Sequence, residues 1–384
     1  MKFALISCLF WCLLACTSAQ EKVPAPDFRG VDQFIDKAVD AEKVAGGCVL
    51  VLHRGKVVYQ RGFGYADIAT EKPFTIGTPA IVASISKPML GTAAFRLQEQ
   101  GRLDLSASIT NQLPAFAASK LESGERIPRG PTCIELFTHT GGLRGDSAPG
   151  GRPWFATWIR GKTLEQAVDR FAAEVPFKAA PGSRYAYSGI GTDIAARVLE
   201  VATDKPRNYL FVETLAKPLG MTNTWYRDAT AIERLPPMPT RYRVDKARGL
   251  VVYKGRPVAE TDTYSSSGGT VVSTAPDLSR WLLMIRNKGQ HEGRAFLKPE
   301  TVATMLSAGP RGNNARGGFF RRRTDQQGRA LVIGHTGSSG TNCWIDFEKD
   351  VIGIMLTQTA GRDIRAFRID LEKRISRCFG PVPK

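Results

Sequence analysis

Hydrophobic positions change period twice along the chain. Between Asp32 and Val44, Phe34, Ile35, Ala38 and Val39 recur at helical spacing. Cys48 to His53 and Lys56 to Arg61 are rich in strand-forming residues. Arg54-Gly55 between them is a two-residue hairpin signal, and Gly62-Phe63-Gly64-Tyr65 ends the second strand. An Ala/Leu-rich helical run follows from Met89 to Gln100 and stops near Gly101. Residues 106–262 are loop-rich and mainly helical in pattern. Thr163 and Gln166 form a capping box ahead of Leu164, Ala167, Val168, Phe171 and Val175. Ile194, Ala195, Val198 and Leu199 mark a second helix, Tyr209 to Ala216 a third, and Pro236, Pro237 and Pro239 an irregular loop. From about residue 263 strands return. Thr274 and Asp277 cap a helix over Leu278 to Arg286, and Leu331 to Ile333, Asn342 to Phe347 and Val351 to Thr357 read as strands. Glu348-Lys349-Asp350 joins the last two as a hairpin. Asp363 to Phe379 closes the chain with Ile364, Phe367, Leu371 and Ile375 in one helical stripe.

This order predicts an α+β fold: an antiparallel β-sheet flanked by helices, with a mainly helical domain inserted in the middle. Residues 25–105 and 263–384 form the sheet domain, 106–262 the insert, and the site lies between them. The length, 384 residues, suits one large or two intimately joined domains. Residues 1–19 stand apart. Lys2 precedes an apolar run from Phe3 to Ala15, which reads as a secretory signal peptide cleaved after Ala19. Leu13-Leu14-Ala15-Cys16 supports a second reading, a lipoprotein tethered to the membrane through acylated Cys16. Either way the protein is expected to be exported, periplasmic or extracellular. No other run approaches the ~20 apolar residues that span a bilayer.

Cys48, Cys133, Cys343 and Cys378 are far apart and show no metal spacing, and no disulfide is assigned. The formal net charge is +17. Export argues against nucleic acid as the partner of this basic surface, and an anionic cell envelope fits better. Arg321-Arg322-Arg323 is the densest cluster. It follows Phe319-Phe320 and reads as part of a loop over a site.

Ser84 and Lys87 stand three apart in Ala83-Ser84-Ile85-Ser86-Lys87-Pro88. On a helix they share a face, so the lysine nitrogen reaches the serine oxygen. Ser84 sits at a helix N-terminus, where free N–H groups favour negative charge. Pro88 is tolerated in the first turn. A serine hydroxyl is a weak nucleophile and needs such a base within reach.

Two further motifs follow, Pro181-Gly182-Ser183-Arg184-Tyr185-Ala186-Tyr187-Ser188-Gly189 and Gly334-His335-Thr336-Gly337-Ser338. With Ser84-x-x-Lys87 they resemble the three-motif order of the serine β-lactamase and penicillin-binding superfamily, in its class C-like branch. That branch includes family VIII carboxylesterases, D-aminopeptidases and D-Ala-D-Ala carboxypeptidases. Leu136-Phe137-Thr138-His139-Thr140-Gly141-Gly142-Leu143, Pro218-Leu219-Gly220-Met221 and Gly268-Gly269 extend the resemblance over nearly the whole mature chain. It implies that Ser84 is the nucleophile and that Lys87 and Tyr187 are general base and acid. Tyr185 is then the core aromatic and His139 a structural histidine under the cleft. His335, Thr336 and Gly337 form a cleft edge on a strand, with Gly337 letting the substrate backbone approach. The backbone N–H groups of Ser84 and Ser338 make the oxyanion hole. No metal or cofactor is implied.

Two departures bear on substrate. Gly189 replaces the asparagine usual in the second motif, so Ser188 or a water takes its contact. His335 replaces the lysine that holds a β-lactam carboxylate, and an ordinary histidine is only partly charged near neutral pH. Both weaken β-lactam hydrolysis. The expectation is an exported serine hydrolase acting on a small ester or amide through an acyl-enzyme, most like a carboxylesterase. The alternatives are a β-lactamase, a D,D-peptidase or D-aminopeptidase acting on peptidoglycan-type peptides, and a penicillin-binding sensor or envelope-binding protein that acylates without turnover. Loops 144–160 and 310–328 are expected to shape the pocket. The sequence assigns no oligomeric state.

Overall fold

A computed structural model describes residues 25–145, 161–229, 231, 237–253, 264–312 and 314–380. The signal-peptide and lipoprotein readings, and most of the 144–160 loop, lie outside them. The first hairpin forms as its turn residues dictate. Strands β1 (Gly46–His53) and β2 (Lys56–Asp67) are joined by Arg54 and Gly55, at φ +52° and +78°. That pair of positive φ values is the turn that matches strand twist. A short β3 (Lys72–Pro73) pairs on β2. The C-terminal region supplies β4 (Phe320–Thr324), β5 (Ala330–Thr336), β6 (Asn342–Asp346) and β7 (Val351–Thr357). All seven strands form one antiparallel sheet in the order β4-β5-β6-β7-β1-β2-β3. The arginine cluster therefore lies in an edge strand, not in a loop.

Alternation along β1 and β7 sorts side chains to two faces. Val49, Val51, Val351 and Met355 pack with α1 (Arg29–Asp40) and the C-terminal α9 (Arg362–Arg377). Cys48, Leu50, Leu52, Ile352, Ile354 and Leu356 face the opposite core, shared with α2 (Ser86–Glu99), α7 (Ala275–Arg286) and α8 (Pro299–Leu306). Each fully buried aliphatic side chain contributes about 1.5–3 kcal/mol of transfer free energy. Helix α2 is buried along most of its length, from Ser86 to Phe95 and at Leu97. It passes Gly317 so closely at Gly91 that any Cβ there would meet the Gly317 carbonyl.

The helical segment packs on this second core without a break, through α3 (Cys133–Phe137), α4 (Leu164–Glu174), α5 (Gly189–Thr203) and α6 (Arg207–Phe211). The predicted capping box of Thr163 and Gln166 is formed at α4. Thr274 accepts from the Asp277 N–H at the start of α7, as expected. Two features differ from the sequence reading. The run Tyr209 to Ala216 is not one α-helix: α6 ends at Phe211, a wider turn covers Val212–Ala216, and Lys217–Leu219 tightens to a 3₁₀ turn. Pro218, which lacks an N–H, accounts for the break. The segment also holds strands. Trp225–Tyr226 pairs with Val271–Ser273, which pairs with Ala80–Ile81, next to Ser84. Tyr242–Asp245 pairs with Gly249–Val252 and, in parallel, with Thr359–Ala360. Two- to four-residue strands are too short to show a period of two.

Candidate active site

Ser84 stands in a 3₁₀ turn, Ala83–Ile85, that runs directly into α2. Ala83 is held at φ +50°, a left-handed conformation that alanine rarely adopts. The surroundings hold it there. The Ser86 hydroxyl donates to the Ala83 carbonyl at 2.6 Å and accepts from the Val271 N–H at 3.1 Å. Strain of this kind, fixed by neighbours, is found where a reactive side chain must be presented. Ser84 itself is partly exposed.

One turn on, Lys87 is buried, and its Nζ lies 3.2 Å from Ser84 Oγ and 2.8 Å from the Gly268 carbonyl. A Cβ at Gly268 would come within 2.8 Å of that nitrogen, so a side chain there would push Lys87 from its place. The Gly268 turn is fixed from behind. Asp193 of α5 accepts from the Ser267 N–H at 2.6 Å, and the Tyr226 hydroxyl donates to the Ser267 carbonyl at 3.0 Å. The buried Arg207 donates to Ser267 Oγ at 3.1 Å and pairs with Asp228 at 2.5 Å.

Tyr187 completes the group: Lys87 Nζ lies 4.9 Å from its ring centroid. The ring rests on His139, with centroids 4.2 Å apart. His139 is buried at φ +60°, and its Nδ1 accepts from the Ser188 N–H at 3.2 Å. Burial first, and the Lys87 charge second, push its pKa down to about 3. It is a neutral structural histidine, with its proton on Nε2 because Nδ1 is an acceptor. Tyr185 departs from expectation. It is 37 % exposed and no core aromatic, because it lies in the open loop before α5. Ser188 is placed by a cap: its hydroxyl is buried and accepts from the Gly191 N–H at the start of α5. Gly189 is the first residue of that helix.

The third motif is the end of β5. His335 is only 1 % exposed. Its ring stacks on Phe320 at 4.1 Å, and its Nδ1 donates to the Thr336 carbonyl at 2.9 Å. Desolvation, reinforced by the Lys87 charge, lowers its pKa well below the ordinary value. His335 is therefore a neutral wall of the site and not the partly charged group that an exposed imidazole would be. Beyond it, the turn is tied to the strand ahead of Ser84. The Ser339 hydroxyl donates to Ile81 O at 2.7 Å, and the Thr341 hydroxyl to Val82 O at 2.9 Å. A Cβ on Gly337 would meet Val82 O at 2.6 Å and the Ala83 Cβ at 2.9 Å. Glycine is needed there for the close approach of this turn to Ala83, more than for a substrate backbone. Ser338 is exposed beside it, and Thr336 partly so.

The structure thus brings Ser84, Lys87, Tyr187 and His335 together, and binds the Gly337–Ser338 turn to the Ser84 segment. Sequence reasoning missed Phe320 as the partner of His335, the Gly268 carbonyl as the acceptor for Lys87, and Arg368, whose Nη1 donates to the Gly337 carbonyl at 2.8 Å. A backbone carbonyl has no letter in the sequence. Among the described residues no three His, Cys, Asp or Glu side chains gather as metal ligands.

Comparison with known proteins agrees with this geometry. The β-lactamase family model matches residues 31–375. Esterase EstB of Burkholderia gladioli is 28% identical over 364 residues, 86% of this chain and 90% of its own. The D-alanyl-D-alanine-carboxypeptidase/endopeptidase AmpH of Escherichia coli strain K12 is 28% identical over 289 residues, 73% of this chain and 69% of its own. Among solved structures, EstCE1, described as a hydrolase with promiscuous acyltransferase activity, superposes with a TM-score of 0.76. It is 26% identical, with 90% of this chain and 97% of that one covered. With the family model spanning almost the whole described chain, this protein belongs to the β-lactamase family and is one of its related serine hydrolases.

Proposed function

We propose that the protein is an exported serine hydrolase that cleaves small esters through an acyl-enzyme on Ser84. The observation that carries this reading is the Lys87 side-chain nitrogen, buried and 3.2 Å from the Ser84 hydroxyl. Lys87 and Tyr187 move the proton from Ser84 Oγ to the leaving group. The Ser84 oxygen attacks the acyl carbon, and the carbonyl oxygen becomes the oxyanion. The N–H groups of Ser84 and Ser338 receive that oxyanion, a contribution of a few kcal/mol in the transition state. Loss of the leaving group gives the acyl-enzyme, and water then releases the acid by the same relay.

The preference for esters over β-lactams rests on His335 and Gly189. A buried neutral imidazole offers no cation for a ring carboxylate. Gly189 has no side-chain amide, and the Ser188 hydroxyl is buried and held 3.3 Å from the Gly191 N–H as a helix cap. A short ester needs neither contact. The likeness to AmpH keeps peptidase activity as the second reading.

The test is a fluorophosphonate label combined with turnover. Wild type should label once and Ser84→Ala not at all. For a short p-nitrophenyl ester, kcat/KM should exceed that for nitrocefin by ~10-fold or more, about 1.4 kcal/mol of transition-state binding. The ratio should not fall between pH 8 and 5.5, because His335 gains no proton there. Labelling that survives in Ser84→Ala overturns the nucleophile. Nitrocefin turnover matching the ester promotes a β-lactamase, a D-alanyl peptide cleaved faster promotes the peptidase, and one equivalent of product without turnover promotes the sensor.

A further inference from the structure

Behind the third motif, on the side of the sheet covered by α9, lies a groove of about 650 Å³. Seven basic and only two acidic side chains line it. Arg322 reaches it from the edge strand β4, and Arg365, Arg368, Lys373 and Arg377 from α9. Its floor includes Trp344 and Thr336. Like charges brought this close destabilise one another unless an anion lies between them.

The two acids do not neutralise the groove. Glu372 is held by Arg322, with N–O distances of 2.6 and 2.8 Å, and also accepts from the Asn342 amide at 2.8 Å. Asp346 is shared between Arg323, at 3.3 Å, and the N–H groups of Glu348 and Lys349, at 3.0 Å each. Among the described residues no carboxylate forms an ion pair with Arg365, Arg368 or Arg377. Lys373 has only Asp370, at 3.8 Å, and Lys349 donates to the Ser376 carbonyl and hydroxyl. Arg368 is the most constrained. Its Nη1 is committed to Gly337 O, and its Nε is buried without a partner. Its pKa is lowered, by burial first and then by the charges of Arg322 and Arg365.

The positions also have a direction. Arg365, Arg368, Glu372 and Ser376 recur every three or four residues, so they share one face of α9. From Arg365 to Arg377 the helix runs about 18 Å at 1.5 Å per residue. The paired Arg322 and Glu372 occupy the middle, and towards the ends Arg365 and Arg377 have no ion-pair partner among the described residues. One carboxylate could not serve both ends. Guanidinium forks arriving from a helix and from a strand suit tetrahedral oxyanions approached from several sides.

We propose that this groove is a binding site for a ligand carrying two or more phosphate groups, either a soluble polyphosphate or clustered phospholipid headgroups. It lies on the reverse of the strand that bears His335. It is connected to that strand through the hydrogen bond from Arg368 to Gly337.

The test uses the full chain and reads binding, not turnover, so its outcome is independent of the hydrolase assignment. Tripolyphosphate is titrated calorimetrically at low ionic strength, with citrate as the carboxylate comparison. Vesicles of 30% phosphatidylglycerol in phosphatidylcholine are compared with pure phosphatidylcholine by co-sedimentation. The groove variant is Arg365→Glu with Arg377→Glu, both exposed. The control is Lys72→Glu with Lys246→Glu, also exposed, which changes net charge equally. Tripolyphosphate or anionic vesicles should bind wild type and control, and bind the groove variant at least ~10-fold more weakly, as two attractive contacts become repulsive. Binding of vesicles alone assigns the phosphate to a lipid headgroup, and binding of tripolyphosphate alone assigns it to a soluble ligand. Equal loss in groove and control variants, equal affinity for citrate, or no binding of either phosphate probe overturns the site.

Discussion

At the scale of single residues, the site depends on Lys87 and Tyr187 working on the same proton. Lys87 Nζ is within reach of Ser84 Oγ and lies 4.9 Å from the Tyr187 ring centroid. Lys87→Ala and Tyr187→Phe should each lower kcat for a p-nitrophenyl ester by ~10²–10⁴, the range of general acid–base groups, with smaller changes in KM. The double variant should lose far less than the product of the two, because residues that act as a unit are not additive. Stopped-flow acylation of all four proteins measures this, and full additivity would separate the two roles. These residues were legible for different reasons. Ser84 and Lys87 declared themselves by a spacing that local helix geometry alone converts into contact. Tyr187 was separable from Tyr185 only through the family pattern. His335 is readable from its motif, but its electrostatics are not. Whether a histidine faces water or an aromatic ring is decided by Phe320, fifteen residues away, and burial of that kind leaves no local mark.

At the scale of elements, strands and helices were readable wherever one face is apolar and the run is long enough to show its period. Strand β1 is such a case, and so is α9. Register is a different matter, because it is set by contacts between distant segments. Trp344 of β6 stands directly opposite Gly353 of β7. Its indole covers the glycine, and a Cβ there would collide with the ring. The Gly353 position in an otherwise aliphatic strand is explained by that one neighbour. Gly353→Ala should cost about 1–3 kcal/mol, the usual penalty of overpacking a filled core. Trp344→Ala should be costly alone, yet combining it with Gly353→Ala should add little, since the collision is gone. Urea unfolding of the two single variants and the double variant tests the coupling, and strict additivity would mean the indole moves aside freely.

At the scale of the whole molecule, the helical segment and the sheet each bury one histidine against the same lysine. His139 comes from the loop after α3, and His335 from the end of β5. Burial and the Lys87 charge keep both neutral in the folded protein, with His139 at about 3 and His335 well below its ordinary value. On unfolding, both return to ~6.5. The sign follows from proton counts. Above pH 6.5 neither state binds these protons, and they have no effect on stability. Below it the unfolded chain binds them and the folded chain does not, so stability falls as the pH drops. For His139 that window runs from ~6.5 down to about 3. Between pH 7 and 5.5, above the range where ordinary carboxylates titrate, each histidine should lower the unfolding free energy by about 1.2 kcal/mol. Urea unfolding of wild type, His335→Gln and His139→Gln at the two pH values separates these contributions from that of His53, also lowered by burial, and from those of Asp193 and Asp277, raised by it. Each variant should shift stability at pH 7 by its own packing cost, yet each should remove about 1.2 kcal/mol of the pH-dependent loss. A pH-dependent change identical in wild type and both variants would mean that the two imidazoles take up protons while folded. The neutral wall beside Lys87, and the pH-independent ester preference built on it, would then fail together.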